Sequence, residues 1–567
     1  MIVRRWRNKK KRLGNEVQPD EILFDSSNLP SFDRDHFEGR IERPLNQRTF
    51  TIAEIVLAVI ALALVFRAGD LQLVHGASYT TRAQQNQLAQ ATIFADRGII
   101  TDRTGVPLAY NERQSVADDF ASRTYANFAG LAHVVGYVKP PAKDSTGTYF
   151  RNEFIGLDGA EKAFNDELAG QNGTQLTETD AQGKIVSQSV TEPAQQGQKI
   201  TLSIDASVTQ ALYSAIAKQA QASGFKGGAG VIMDVETGEL LALTSYPDYS
   251  QQLVEEGDTK AIAAINADSR RPFLDRATNG LYAPGSIVKP VVAAAALTEG
   301  VIDENKQILS TGSISVPNPY DPAHPSIFKD WRANGWVDVR HAIAYSSDVY
   351  FYEVGGGFNV PGQPVQAGLG IDKLDQYFRM FGFGSDPGLA GFNDADGNLP
   401  TPAWKAATFP ADPTWHLGDT YHTAIGQYGV QVSPLQAARE AAAIANGGIL
   451  LTPQLIASSS PQGTKIAVSP YALQVVREGM RLGVTDGIAQ AVKLGAVHVA
   501  AKTGTAQVGT SNQFENSWMI GFFPYEHPRY AYAMVLERGP AGTLQGSPGA
   551  MGQFLQWMQA NAPQYLQ

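Results

Sequence analysis

Three short segments, Ser286-Ile287-Val288-Lys289, Ser346-Ser347-Asp348 and Lys502-Thr503-Gly504, occur along the chain in the order S-x-x-K, S-x-D, K-T-G. Together they specify a serine acyl-transfer site with a lysine as its base. That sets a strict condition on the fold, because segments from distant parts of the chain must converge on one serine. Taken alone, S-x-x-K says little, for it recurs at Ser223-Gly224-Phe225-Lys226 and Ser326-Ile327-Phe328-Lys329. Local physics separates the copies. Ser286 follows the turn Tyr282-Ala283-Pro284-Gly285 and precedes Val291–Leu297, a run of helix-forming residues without a breaker. It therefore opens a helix, where the i to i+3 spacing puts Lys289 on the same face and within reach of the hydroxyl, and where first-turn N–H groups favour developing negative charge. Ser223 runs into Gly227-Gly228, and Ser326 follows His324-Pro325. Both read as loop residues.

A serine hydroxyl is a poor nucleophile until a base takes its proton, and a lysine serves only as the neutral amine. Lys289 is thus expected to be buried near a second cation, for which Lys502 is the natural candidate. Ser346 can pass a proton between the lysine side and the leaving amine. Asp348 stands where asparagine is more familiar; it can bond Lys289 or a substrate amide, but a carboxylate there opposes a neutral base. Lys502-Thr503-Gly504-Thr505 reads as an exposed strand edge to which an extended peptide can add, Gly504 allowing close approach and Thr503 and Thr505 offering hydroxyls to a terminal carboxylate. The backbone N–H groups of Ser286 and Thr505 are the expected oxyanion hole. Competing sites fare worse. There is no G-x-S-x-G elbow, no H-E-x-x-H and no cysteine, and His416 and His422, six apart, do not share a helical face, so neither metal nor cofactor is expected.

At 567 residues the chain exceeds one core, and its formal net charge of −10 disfavours nucleic acid as a general partner. The first twelve residues carry Arg4, Arg5, Arg7, Lys9, Lys10, Lys11 and Arg12 with no acid. A polar stretch follows, and then the apolar run Thr49–Phe66, which extends towards Val74 despite Glu54. The preceding segment is longer than the n-region of a signal peptide, so the run reads as a single membrane anchor, basic end in the cytoplasm and the remainder outside.

The expected organisation is a basic tail at 1–48, an anchor at 49–74, a short β-rich pedestal at 75–198 and a catalytic domain at 199–567. Residues 76–93 read as a polar helix or stalk, and 97–109 as two strands around a turn, with Arg97, Asp102 and Arg103 in a partly buried ion-pair network. His133, between apolar neighbours, reads as a packed core histidine, and Gly156–Leu168 as a capped helix. The catalytic domain is expected to open with a strand at Ile200–Ile204 and a helix presenting Val208, Leu212 and Ile216. A hairpin follows (Ala229–Met233, Leu240–Thr244), and three strands come at the far end (Ala501–Gln507, Trp518–Phe523, Tyr530–Glu537). Strands from both ends with helices between imply an α+β fold, an antiparallel sheet flanked by helices.

These residues resemble the class B penicillin-binding proteins, the monofunctional peptidoglycan D,D-transpeptidases, and look closest to the penicillin-binding protein 2 type that serves elongation. The resemblance runs through R-G-x-I-x-D-R-x-G at 97–105, Gly136-Tyr137-Val138, the approach Tyr282–Ser286, Ser346–Tyr352 and Trp415–Gln436, with Tyr428 inserted before Gly429. Asp348 is itself characteristic of the elongation type. The resemblance implies a serine β-lactamase-like transpeptidase fold in which Ser286 attacks D-Ala-D-Ala of a stem peptide and a neighbouring stem's amine resolves the acyl-enzyme. Lys289 is then the general base, with Ser346, Asp348 and Lys502 relaying protons and holding substrate. It further implies β-lactams as inhibitors and, as partners, a glycosyltransferase of the SEDS family and other membrane proteins of the elongation complex. Fewer than 25 residues separate the strands at 97–109 from Ser122-Arg123-Thr124-Tyr125, where many relatives carry a longer head, so the pedestal is small. A β-lactamase, a β-lactam-sensing receptor and an inactive scaffold are the alternatives, disfavoured because no deacylation base is identifiable and a decoy has no need of Ser286, Lys289 and Lys502 together.

Overall fold

The computed structural model describes residues 47–567 apart from 80–86, 117, 180–184, 319, 320, 322, 458, 459 and 544, so the expected basic tail, except its last two residues, lies outside the described residues. Helix α1 (Gln47–Gly69) continues into a π-turn at Asp70–Val74. The stretch Phe50–Val74 is long and apolar enough to cross a membrane, with its large apolar side chains exposed.

The pedestal opens with a correction: the second half of the expected stalk is strand β1 (Gln87–Ile93). Then come β2 (Ile100–Thr101), β3 (Pro107–Glu112) and β4 (Ser122–Tyr125), two short helices α2 (Gly159–Ala163) and α3 (Asn165–Ala169), and strands β5 (Gly173–Thr179), β6 (Ile185–Glu192) and β7 (Ile200–Thr201). The single helix expected over 156–168 is broken at Phe164, and Asp158 at its head makes no side-chain cap. β7 also differs from expectation. It pairs in parallel with β2, so the strand placed first in the catalytic sheet belongs to the four-stranded pedestal sheet β7-β2-β3-β4.

The catalytic lobe contains α4 (Ala206–Ser223), β8 (Gly227–Asp234), β9 (Leu240–Tyr246), α5 (Lys289–Thr298), a hairpin of β10 (Ser313–Val316) and β11 (Ser326–Lys329), α6 (Val339–Tyr345), α7 (Asp348–Gly356), α8 (Leu417–Ala424), α9 (Pro434–Ala445), α10 (Pro470–Thr485), β12 (Ala500–Val508), β13 (Phe514–Phe523), β14 (Tyr530–Pro540) and α11 (Ser547–Asn561). Ser223 and Ser326 are thus not loop residues; the first ends α4 and the second begins β11, and neither opens a helix. The central sheet runs β9-β8-β14-β13-β12, antiparallel throughout.

Period-2 alternation divides its side chains between two cores. Trp518, Ile520, Ala533 and Val535 join the cluster that holds α5 and α9, whereas Met519, Tyr532, Met534 and Leu536 meet Val208, Leu212 and Ile216 of α4 and Phe554 of α11. The sheet is therefore covered on both faces, and every core residue of α9 is sealed from water. α5 lies in the first core, which fixes the residue at its head relative to β12 at the sheet edge.

Arg97, Asp102 and Arg103 do not pair with one another as expected. Arg97 and Arg123 both bond Glu161, Nε to Oε at 2.6 and 2.7 Å, with all three side chains wholly buried. Arg103 reaches Glu239 at 3.3 Å, and Asp102 accepts from Thr104 N, Val106 N and Ala206 N. The glutamate that completes the pair lies more than sixty residues downstream of Arg97, beyond any local pattern. His133 is a packed core histidine, 4% exposed, its Nε2 against Pro272 O at 3.0 Å and its ring edge-on to Tyr249. Because a buried charge left without its partner is strongly destabilising, Glu161→Ala is expected to cost roughly 3–5 kcal/mol, read as a lowered urea midpoint of the pedestal.

Candidate active site

The segment before Ser286 is pinned from several directions. Trp518 Nε1 donates to Ala283 O at 2.9 Å, and Gly285 N donates to Gly426 O at 2.9 Å. Gly285 sits at φ +56°, where a Cβ would also stand 2.5 Å from Thr505 O. A Cβ on Gly504 would meet Pro284 O at 2.8 Å, and one on Gly426 would overlap the carbonyl of Gly285. Three glycines therefore let the serine turn press against the K-T-G strand and the loop after α8. Ser286 lies in a single 3-10 turn (Gly285–Val288) that leads into α5, as the helix-start reading requires.

Ser346 caps the C-terminus of α6 in the left-handed region, φ +59° and ψ +41°, and Ser347 caps the N-terminus of α7. Left-handed backbone is costly for a residue with a Cβ and persists where the surroundings impose it. What imposes it is Asp330, just after β11. One of its oxygens accepts from Ser310 Oγ at 2.9 Å, Ser347 Oγ at 2.8 Å and Val349 N at 3.1 Å; the other accepts from Trp331 N at 2.8 Å. Residue 347 is held to one side, so 346 and 348 face the lysines.

Lys289 Nζ is fully buried and donates to Asp348 Oδ1 at 2.6 Å, Ser346 O at 2.8 Å and Ser346 Oγ at 3.3 Å. Lys502 Nζ, also buried, reaches the same Ser346 Oγ at 2.8 Å and Thr503 O at 2.8 Å. Burial, and then the positive charge of Lys289, push Lys502 well below the ordinary lysine range against the opposing pull of Asp348. Lys502 stands beside Lys289 as expected, and the Ser346 hydroxyl, expected to work between the lysine side and the leaving amine, lies between the two lysines. The expected contact from Lys289 to Ser286 is not formed: no hydrogen bond reaches Ser286 Oγ among the described residues, and Lys289 is engaged by Asp348 and Ser346 instead. Pairing with the carboxylate holds the ammonium towards α7.

Ser286, Ser346, Asp348, Thr503 and Thr505 line one cleft of about 920 Å³. Among the described residues β12 pairs only with β13 and so forms the sheet edge, but the expected exposure holds for Thr505 alone, since Lys502, Thr503 and Gly504 are buried against the serine turn and the core. Asp330 and His422 also line this cleft and were missed by sequence reasoning. Nothing local marks Asp330, and His422 was weighed only as half of a metal pair. Among the described residues no group of three or more histidine or acidic side chains could hold a metal ion. The geometry suits a proton passing from one alcohol through a lysine, a second alcohol and a second lysine.

Comparisons with known proteins agree with the architecture. Residues 228–553 match the penicillin binding protein transpeptidase domain, and residues 116–202 the penicillin-binding protein dimerisation domain. Peptidoglycan D,D-transpeptidase MrdA of Escherichia coli K12 is 28% identical, the alignment covering 89% of this chain and 93% of that protein. Penicillin-binding protein 2 of Helicobacter pylori, solved in a complex with MreC, is 26% identical with a TM-score of 0.68, covering 84% of this chain and 100% of that one. A chain of a solved peptidoglycan synthase complex that coordinates polymerization and crosslinking is also 26% identical with a TM-score of 0.68, covering 90% and 98%.

Two outcomes are expected here. Asp330→Ala releases the 346–348 turn and lowers acylation by a fluorescent penicillin about 100-fold, the scale of a small misplacement of reacting groups, while Asp330→Asn retains most of it and circular dichroism is unchanged in both. For Lys502, between its lowered folded value and 10.5 the unfolded chain binds a proton that the folded chain does not. Stability therefore rises with pH across that window. Lys502→Met is expected to abolish the rise, measured as thermal midpoint against pH.

Proposed function

The chain belongs to the penicillin-binding protein transpeptidase family, and from that premise we propose that it cross-links peptidoglycan stem peptides as a serine D,D-transpeptidase of the elongation type, itself inactivated by β-lactams. The observation that carries this reading is the single hydroxyl of Ser346 bonded to Lys289 and Lys502 beside Ser286, in a cleft bordered by an open strand edge.

The donor stem adds to β12, its terminal carboxylate taken by the hydroxyls of Thr503 and Thr505. Ser286 attacks the carbonyl of the penultimate D-Ala, and its proton passes to Lys289 as the latter sheds one through Ser346 to Lys502, the amine that burial keeps most ready to accept it. Asp348 balances the charge left on the lysine pair, so the ion pair that opposes a neutral Lys289 at rest becomes useful once a proton moves. The backbone N–H groups of Ser286 and Thr505 receive the developing oxyanion. The leaving D-Ala amine takes the proton back through Ser346, and an amine from a neighbouring stem resolves the ester.

The apolar helix α1 fixes the chain to the bacterial cell membrane, basic tail in the cytoplasm and catalytic lobe outside. Its polymerising partner is a SEDS-family glycosyltransferase, and an elongation protein of the MreC kind is a further partner. Support for these partners comes from the family relationship and from the complexes in which the relatives were solved.

A fluorescent penicillin is expected to leave a long-lived adduct on Ser286 that is absent in Ser286→Ala, and Lys289→Ala is expected to lower acylation by at least about 100-fold. Rapid drug turnover makes the protein a β-lactamase, no adduct at all makes it a scaffold, and unchanged acylation in Lys289→Ala removes that lysine from the mechanism.

A further inference from the structure

The two borders of the cleft differ in chemistry. The sheet side offers the hydroxyls of Thr503 and Thr505 on β12, which suit the carboxylate end of a donor peptide. The helical side offers Asp348, with Asp330 behind it, which suits an ammonium. On that helical side His422 of α8 lines the same cleft as Ser286 and Asp348. Its ring lies against Phe328 at 5.6 Å and Tyr352 at 6.3 Å between centroids, and neither ring nitrogen makes a hydrogen bond or ion pair among the described residues. An imidazole held by aromatic neighbours with both nitrogens free towards a substrate cleft is placed to meet a substrate group.

The proposed aminolysis moves two protons off the incoming stem amine. That amine is an ammonium in water, so it must lose one proton before it attacks and a second as Ser286 Oγ leaves, and the relay through Lys289, Ser346 and Lys502 accounts for the second. We propose that His422 is the base that deprotonates the incoming amine, a catalytic residue of the acyl-enzyme's aminolysis; the inference rests on the transpeptidase reading above. One ammonium proton passes to the imidazole, the freed nitrogen lone pair forms the new C–N bond, the bond from the acyl carbon to Ser286 Oγ breaks, and a second proton from that nitrogen returns to Ser286 Oγ. The product amide keeps the third.

The protonation state agrees with this role. Burial lowers His422 from the ordinary 6.5, with Asp419 and Asp348 pulling the other way. The charged and titratable groups around it are Asp348 and Asp419, Tyr352 against its ring, and Lys329 and Asp330, which line the same cleft. Asp348 is paired with Lys289, and Asp419 with Lys405. Burial thus favours the neutral imidazole, the form that can accept a proton.

The test uses the full-length protein, a D-alanyl thioester as acyl donor and D-alanine as acceptor amine, with the ratio of aminolysis to hydrolysis measured against pH. His422→Gln and His422→Asn are expected to lower the aminolysis ratio at least about 100-fold, a loss well beyond any fall in their acylation by fluorescent penicillin. The parent's extra fall in that ratio below pH 6.5 is expected to vanish in both. Parent-like ratios and pH profiles in the variants overturn the inference, as does an equal loss of penicillin acylation and aminolysis in both. Absence of any adduct in the parent protein instead removes the transpeptidase reading beneath it.

Discussion

One hydroxyl shared by two lysines governs the cleft. Ser346 Oγ accepts from Lys502 at 2.8 Å and Lys289 at 3.3 Å, and Asp348 is the only carboxylate bonded to either among the described residues. Two positive charges on one hydroxyl repel by a few kcal/mol at an effective dielectric of about 20, and burial adds to the cost of the second. Burial and the neighbouring charge of Lys289 together press Lys502 to release its proton well below the ordinary lysine range. Asp348 bonds Lys289 at 2.6 Å and, among the described residues, makes no bond to Lys502. A base is thereby made from two ordinary lysines without any metal ligand, and the left-handed backbone of Ser346 is what such an arrangement demands of the fold.

Around this cluster the fold acts as a clamp with three arms. The sheet brings β12 to its edge, where close approach to Pro284 and Gly285 is possible only because Gly504 and Gly285 lack side chains. The core that packs α5 against the sheet places Ser286 at the mouth of its helix. Asp330, reaching from the β11 strand, ties the 346–348 turn to the hairpin side of the cleft. The sheet and the helical side are thus fixed independently and meet at Ser286, which leaves a cleft open between them for an extended peptide.

Much of this was legible in the chain. The order of the three segments, the helix opening at Ser286, the hairpin at 229–244, the three final strands and the place of K-T-G on one of them all follow from periodicity, turn residues and motif spacing, whereas the burial of Lys502, Thr503 and Gly504 does not. What could not be read depended on contacts made across long separations. Glu161 between Arg97 and Arg123, the pairing of Ile200 with Ile100, and Asp330 beneath Ser347 join residues that no local pattern links. Phe164 broke a helix whose sequence looked continuous, and Gln87–Ile93 became a strand because partners at 173–192 were there to receive it. His422 was visible only as a histidine at the wrong spacing for a metal; its place beside Asp348 comes from the packing of α8 on α7.

The central claim is that Lys502 gives up its proton well below the ordinary lysine range. The most direct measurement is an NMR titration of the full-length protein carrying 13C at lysine Cε, with Lys502→Arg used to assign the signal. The account predicts one lysine resonance that titrates well below 10.5, disappears in the variant, and is perturbed once penicillin occupies the cleft. If every lysine resonance titrates at or above 10.5, the pair carries two protons and the shared-hydroxyl mechanism is wrong.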